Sequence, residues 1–220
     1  HEHNHVTAGQ SVLNRLLAGE SCALMTDAGT PAISDPGEDL VRLCAENGVE
    51  VRAIPGCCAA VNALAVSGLP TGRFTFEGFL TVNKKSRREH LNSLKGETRT
   101  MIFHEAPHNL RTTLNDLTEA FGPDRRISLC RELTKLHEEV LRFTLAEAVA
   151  YYEENAPKGE YVLVVAGAAP KTGAVVTLED GVAQVLALKE QGMRLKDAAK
   201  EVAEHTGLSK NELYAAALER

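Results

Sequence analysis

The stretch Met25-Thr26-Asp27-Ala28-Gly29-Thr30-Pro31-Ala32-Ile33-Ser34-Asp35-Pro36-Gly37 decides how the chain folds. It follows an apolar run at residues 21–26 and precedes an amphipathic segment at residues 39–46, an order that predicts a buried strand, a polar turn and a helix. In open α/β sheets, ligands bind at the carboxyl ends of strands, and small residues there let the backbone approach a ligand. Two aspartates around an Ala-Gly-Thr-Pro run favour a binding turn over a plain connection, although turn formation alone would explain the glycines and prolines.

A second turn of the same kind is Ile54-Pro55-Gly56-Cys57-Cys58-Ala59-Ala60. It follows a predicted strand at residues 49–54 and opens a helix of small residues at 59–66. Taken alone, this turn is explained by close packing of a helix on a sheet. Two such turns after successive strands, however, indicate one crevice with backbone walls. Neither turn matches G-x-G-x-x-G or the P-loop pattern, so a dinucleotide or nucleoside-triphosphate site is not supported.

The rest of the first 168 residues continues this alternation of strands and helices. The predicted helices are residues 7–18 with Thr7 as a cap, 39–46, 59–66, 84–94, 107–121 with Pro107 in the first turn, and 145–154. Further strands are predicted at residues 74–79, 99–103, 126–130, 140–144 and 161–166. The pattern predicts an α/β fold with a largely parallel sheet and some antiparallel strands late in the second lobe. The glycine- and proline-rich residues 68–72 divide it into an amino-terminal lobe at 1–70 and a second α/β lobe at 71–168.

A linker at residues 169–176 separates this part from a helical unit at residues 177–220. Within that unit, Ala203 and Gly207 have the spacing of a helix-turn-helix. Residues 191–220 contain as many basic as acidic side chains, whereas a DNA reader would show a basic face. A packing or docking role is therefore favoured over a nucleic-acid contact, and both stay open.

Composition excludes several classes of protein. The net charge of −6, with 44% hydrophobic residues, is that of a globular chain and argues mildly against nonspecific binding of nucleic acid. No apolar run approaches the roughly 18 residues that span a bilayer, so we expect no membrane partner. Five cysteines without C-x-x-C spacing predict reduced thiols in the cytoplasm. The alternating His1, His3 and His5 have no partner ligands at metal-site spacing, and we expect no metal.

Three charged segments are candidates for chemistry. His104-Glu105-Ala106-Pro107-His108 ends a strand and opens a helix, so its His and Glu side chains suit acid–base work, or Glu105 satisfies amides at the helix start. Arg131-Glu132-Leu133-Thr134-Lys135 places mixed charges in a loop that structure alone does not require. The basic run at residues 84–88 is either a solvated helix face or a phosphate contact.

In this combination the motifs resemble the tetrapyrrole-methylase superfamily, the class III S-adenosylmethionine-dependent methyltransferases. Within that superfamily they resemble the enzymes that methylate a cytidine 2′-oxygen of small-subunit ribosomal RNA. The motifs that carry the resemblance are residues 1–4, 26–37, 54–60, 78–80 and 105–108, residues 131–135 with Glu138 and Glu139, residues 159–165, and the terminal helical unit.

The resemblance implies a two-lobed fold with S-adenosyl-L-methionine between the lobes, usually as a homodimer. It implies that the cofactor is lined by Asp27, Ala28, Gly29, Thr30, Pro31, Pro55, Gly56, Cys58, Ala59, Ala60, Phe103, His104 and Ala166. The chain departs from the family pattern at Cys57-Cys58 (usually Pro-Ser), at Ala166 (often acidic) and at Asn109 (often Arg). The family's first strand and helix, with a Gly-Asn cofactor loop, would precede residue 1.

The implied reaction is an in-line transfer of a methyl group to a ribose hydroxyl, which depends on alignment and benefits from a base. Our hypothesis makes His108 or Glu105 the base, with Lys135 or Arg131 steadying the substrate or developing charge. The implied acceptor is a cytidine of 16S-type RNA, either free or in the small ribosomal subunit. A tetrapyrrole precursor or a protein side chain is the alternative acceptor, and a noncatalytic RNA-binding module is the alternative class.

Overall fold

The computed structural model describes residues 5–169 and 177–219, and the chain divides into two compact units, His1–Ala168 and Ala169–Arg220. The helices of the first unit are α1 (His5–Leu17), α2 (Glu38–Glu46), α3 (Ala59–Ser67), α4 (Lys84–Ser93), α5 (Leu110–Phe121) and α6 (Leu145–Glu154). Its strands are β1 (Phe74–Phe79), β2 (Thr100–Glu105), β3 (Arg126–Arg131), β4 (Glu139–Thr144) and β5 (Tyr161–Val165). The boundary predicted between residues 70 and 71 lies inside this unit and stays a prediction.

The five strands form one mixed sheet in the order β1-β2-β5-β3-β4. Only β1 and β2 pair in parallel, and the other three pairs are antiparallel. The expectation of a largely parallel sheet is therefore wrong for this unit. The physical reason is that a short loop joins β3 to β4, which permits only an antiparallel pair, and that β5 lies between β2 and β3 in the opposite direction. The carboxyl ends of β1, β2 and β3 thus meet the start of β5 at one edge, called the carboxyl edge below.

Side chains alternate between the two faces along each strand, and helices cover both faces of the sheet. On the α5 face, Met101 and Phe103 of β2 are fully buried in a core with α5 and α6. On the α3 face, Ile102 of β2 packs in a smaller core with Ala63 and Leu64 of α3. Every residue of β2 therefore belongs to one face or the other, and its end at the carboxyl edge presents His104 and Glu105 to opposite faces.

The strands predicted at residues 21–26 and 49–54 are wrong, since the structure has no strand in either segment. Ile54 is 86% exposed. A strand needs a hydrogen-bonded neighbour, and neither segment has one in the described part of the chain. Two helix starts also differ from expectation. The helix α1 begins at His5, so Thr7 is not its cap, and α5 begins at Leu110, so Pro107 lies in the preceding turn.

The second unit consists of three helices, α7 (Leu178–Glu190), α8 (Leu195–Thr206) and α9 (Lys210–Leu218). They enclose a core that includes Val185, Val202 and Leu213. The helix α8 ends at Gly207 in the left-handed conformation, and the Ser209 side chain caps α9. This tight connection is the predicted helix-turn-helix. The predicted linker at 169–176 lies outside the described residues except for Ala169, and no helix of the described ranges is long and apolar enough to span a membrane.

Candidate functional site

The two turns singled out in the sequence lie against each other. The Thr30 hydroxyl donates a hydrogen bond of 2.9 Å to the Cys57 carbonyl oxygen. Gly29 has a left-handed φ of +79°, and a Cβ there would be in ordinary contact with the same oxygen, at 3.8 Å. The side chain of Asp27 is exposed beside this contact. The structure therefore brings residues 27–31 together with residues 55–58 in one wall of backbone and small side chains.

This wall reaches the carboxyl edge of the sheet. The Ser34 hydroxyl lies 4.0 Å from where a Cβ on Gly78 would stand, at the end of β1. Asp35 is near enough to His104, on β2, to favour its protonated form. Ala32 and Ser34 both have positive φ angles, of 66° and 60°. A backbone held in this strained region by its surroundings is typical of binding turns.

His104 lies on the α3 face between two aromatic rings. Its ring centroid is 5.2 Å from that of Phe76 and 5.4 Å from that of Phe79, both edge-on. Its Nε2 atom is buried and has no hydrogen-bond partner among the described residues. Burial lowers the pKa of His104 below its ordinary value, against a smaller opposing effect of Asp35. The lowered pKa favours the neutral imidazole at neutral pH, and Nε2 stays without a hydrogen-bond partner among the described residues.

Glu105, a predicted base, faces the other way. Its carboxyl is buried on the α5 face, where the Thr113 hydroxyl donates to Oε2 and the Ala106 amide donates to Oε1 over 2.9 Å. Thr113 in turn accepts a hydrogen bond of 2.7 Å from Arg87, whose Nε donates to Asp116 over 2.5 Å. Both oxygens of Glu105 are thus engaged in a network that joins β2, α4 and α5.

This network also divides the basic run at residues 84–88. Arg87 is buried, whereas Lys84, Lys85 and Arg88 are exposed on α4. The run is thus neither wholly a solvated face nor wholly a phosphate contact, because one of its four cations anchors the helix to the core.

The two predicted cations lie at the end of β3 and in the loop that follows it. Arg131 is the last residue of β3, and its Nε lies 3.2 Å from Glu139 without the geometry of a hydrogen bond. Lys135 Nζ donates to Glu132 over 2.9 Å and to Glu160 over 2.8 Å. Lys135 is half exposed, so the loop presents a carboxylate-bound ammonium at the carboxyl edge.

The remaining predicted site residues are dispersed. His108 is exposed in the turn between β2 and α5, at the carboxyl edge. The Phe103 side chain is fully buried on the α5 face, so only its backbone remains to line a ligand. Ala166 follows β5 at the opposite edge, where its amide donates to the Arg126 carbonyl. It lies four residues past Val162, the pairing partner of His104, which is about 13 Å along the strand.

Sequence reasoning gave no role to several residues of this region. Phe76 and Phe79 flank His104 because the register of β1 shifts between Phe76 and Gly78, whereas simple alternation would have put residues three apart on opposite faces. Thr113 and Glu160 bind predicted catalytic residues that lie 8 and 25 positions away, so no local pattern marks them, whereas Glu132 is three residues from Lys135 within the charged segment. Among the described residues, no group of three His, Cys, Asp or Glu side chains is placed to hold a metal ion.

The family comparison agrees with this arrangement. The profile described as Tetrapyrrole (Corrin/Porphyrin) Methylases matches residues 1–149, which is more than half of the chain. The chain belongs to this family, as the sequence motifs predicted. A second profile, described as the RsmI C-terminal HTH domain, matches residues 176–220, and it confirms the expected helix-turn-helix unit.

Similar proteins of several bacteria carry the name Ribosomal RNA small subunit methyltransferase I. The relative from Synechocystis sp. is 45% identical over 219 residues, covering 100% of this chain and 78% of its own length. The relative from Escherichia coli O157:H7 is 41% identical over 222 residues, covering 100% of this chain and 77% of its own length.

Solved structures confirm the fold. The methyltransferase CobJ matches with a TM-score of 0.57 at 21% identity, covering 77% of this chain and 74% of its own. Diphthine synthase matches with a TM-score of 0.53 at 14% identity, covering 74% of this chain and 66% of its own.

Proposed function

We propose that the chain is an S-adenosyl-L-methionine-dependent methyltransferase that methylates the 2′-oxygen of a cytidine in 16S-type ribosomal RNA. Membership of a methylase family makes it a methyltransferase, and relatives at 41–45% identity that carry the rRNA name support the acceptor. The structural observation that carries the proposal is the contact between Thr30 and Cys57, which joins the two small-residue turns at the carboxyl edge.

The residues of these turns fit the cofactor. Gly29 adopts a left-handed φ of +79°, which glycine reaches without strain, and its lack of a side chain leaves the turn open to a ligand. The exposed carboxylate of Asp27 suits an ammonium or a ribose hydroxyl. We assign the cofactor to residues 27–31 and 55–60, with His104 bounding the same side of the site. S-adenosyl-L-methionine, when bound, supplies a methyl group activated by a sulfonium.

Protein groups at the carboxyl edge then act on the acceptor. His108 is exposed and has no hydrogen-bond partner among the described residues, so it is free to hold the proton of the ribose hydroxyl. Lys135 is positioned by Glu132 and Glu160 to face a developing or phosphate charge. Glu105 and Arg131 point to the α5 face, so in this proposal they position the turn and the loop rather than touch the substrate. Most of the rate enhancement comes from alignment of the acceptor oxygen.

The enzyme is proposed to act in the cytoplasm as a homodimer, on RNA or on the small ribosomal subunit. Buried Cys44 and Cys130 and exposed Cys22 and Cys57 are all free thiols, which fits a reducing compartment.

The test is methyl transfer from labelled cofactor to small subunits purified from a strain that lacks this gene. Mass spectrometry of nuclease digests should locate one 2′-O-methylcytidine. Thr30→Val removes the contact between the turns and should weaken cofactor binding in calorimetry, while Thr118→Val, on the outer part of α5, serves as the control. Cofactor binding without RNA methylation would point to a tetrapyrrole or protein acceptor, and absence of cofactor binding would point to a noncatalytic module.

A further inference from the structure

Phe76, Phe79 and His104 form an aromatic cluster at the carboxyl edge. Both phenylalanines belong to β1, an edge strand of the sheet, and they are 39% and 58% exposed. Each ring touches the imidazole edge-on, with centroids 5.2 and 5.4 Å apart. More than half of the Phe79 ring therefore stays available to a ligand while its other side is held against a protein ring.

This aromatic cluster contains one polar atom without a partner. His104 Nε2 is buried and makes no hydrogen bond within the described ranges. A buried polar atom left unpaired costs free energy, so an isolated one indicates a missing partner. Burial holds the pKa of His104 down, and the acidic groups that act on it, Asp35 and Glu160, only oppose this effect in part. A neutral imidazole has one donor and one acceptor nitrogen.

These features select an uncharged planar ligand. The charged groups that act on His104 are the carboxylates of Asp35 and Glu160, and neither attracts a phosphate group, since Glu160 is already paired with Lys135. Aromatic side chains stack on nucleobases of any sequence, and one hydrogen-bonding group at the base edge then distinguishes among them. A nucleobase meets both requirements, whereas an aliphatic ligand would leave Nε2 unpaired.

We propose that Phe79 and His104 hold the base of the cytidine that receives the methyl group. The inference rests on the proposed function and adds the residues that select the acceptor. Cytosine presents an amino donor at position 4 and an acceptor at N3, and uracil presents the reverse. A single imidazole tautomer whose Nε2 is fixed opposite position 4 or N3 of the base would therefore distinguish the two pyrimidines, while Phe79 contributes affinity without distinguishing them.

Three variants test the two roles. In methyl transfer to small subunits, Phe79→Ala should raise the KM for RNA roughly tenfold, because stacking on one aromatic ring is lost. His104→Phe keeps an aromatic ring but removes the nitrogen, so it should lower the preference for a target cytidine over a target uridine about 3- to 10-fold. Phe74→Ala is the matched control, because Phe74 is 42% exposed but lies at the far end of the same strand.

Two further measurements separate this inference from its alternatives. The Kd of S-adenosyl-L-methionine should stay unchanged in Phe79→Ala, and a fluorescent cytosine analogue at the target position of the RNA should be quenched by the wild-type protein but not by this variant. A weaker cofactor Kd with an unchanged KM for RNA would assign the aromatic cluster to the cofactor and overturn the inference. An unaltered cytidine preference in His104→Phe would overturn the role of Nε2. Failure of the wild-type protein to methylate RNA would refute the proposed function itself.

Discussion

The network around Glu105 allows a quantitative test of what this buried carboxyl does. Arg87 is buried and donates to Thr113 and Asp116, and Thr113 donates to Glu105. In Arg87→Met, Glu105 and Thr113 lose the only cation of this network while they stay buried. Breaking a buried ion pair costs about 3–5 kcal/mol of unfolding free energy. Because Asp116 is partly exposed and regains water, we expect the lower end, about 3 kcal/mol.

The matched control is the neighbouring Arg88→Met. Arg88 is 71% exposed in its side chain and lies 3.3 Å from Glu119, so its loss should change the unfolding free energy by less than about 0.5 kcal/mol. Glu105→Gln keeps the shape of the side chain and should cost about 1.5–3 kcal/mol, the value of a hydrogen bond to a charged group. Because the two sites share Thr113, the double variant should cost less than the sum, by about 0.5–3 kcal/mol.

Urea unfolding provides the measurement. The chain has four tyrosines and no tryptophan, and Tyr151, Tyr152 and Tyr161 all lie in the first unit, so the near-ultraviolet dichroism reports mainly on that unit. Equal costs for Arg87→Met and Arg88→Met, or strictly additive costs for Arg87→Met and Glu105→Gln, would refute the network. A Glu105→Gln protein of native stability that lost methyl transfer would restore Glu105 as the base.

Three other perturbations have expected outcomes. Gly167→Ala places a Cβ 2.0 Å from the Thr98 carbonyl oxygen and should lower the unfolding free energy of the first unit by about 1–3 kcal/mol in urea titrations, whereas Gly72→Ala, with no atom within 4 Å, should not. The unfolded chain binds a proton at His104 more readily than the folded chain does, so the unfolding free energy should fall as the pH drops below about 6.5. Urea midpoints measured between pH 5 and 7.5 should show this dependence on pH, and the dependence should be smaller in His104→Phe. Leu213→Ala should destabilise the second unit by about 2–5 kcal/mol, seen as faster hydrogen exchange in α8 and α9, while exposed Leu218→Ala should leave exchange unchanged.

Local signals predicted the elements that need only their own residues. The bounds of β1 and α6 agree with expectation, and α2 ends at Asn47-Gly48 as predicted, with Gly48 at φ 69°. At the start of α6, Thr144 and Glu147 form a capping box, a signal for a helix start that involves only four consecutive residues. The sequence predicts helix ends of this kind because their hydrogen bonds join residues that are close together in the chain.

Strand partners and sheet direction were less accessible to sequence reasoning. Residues 21–26 and 49–54 have strand composition, but a strand exists only when another backbone pairs with it. The insertion of β5 between β2 and β3 likewise made the sheet mostly antiparallel, although the alternating order of elements predicted parallel pairs. Both errors concern long-range pairing, which composition and periodicity do not report.

The sequence by itself determined the family, the helical tail and the two small-residue turns, because motifs and caps depend on residues that are close together in the chain. Only the tertiary structure decided which motif residues face a ligand. The alternation along β2 turns Glu105 toward α5 and leaves His104 on the α3 face with an unpaired nitrogen. Arg87 and Lys84 look alike in sequence, yet one is buried and the other exposed, because side-chain accessibility depends on neighbours that the fold brings from tens of residues away.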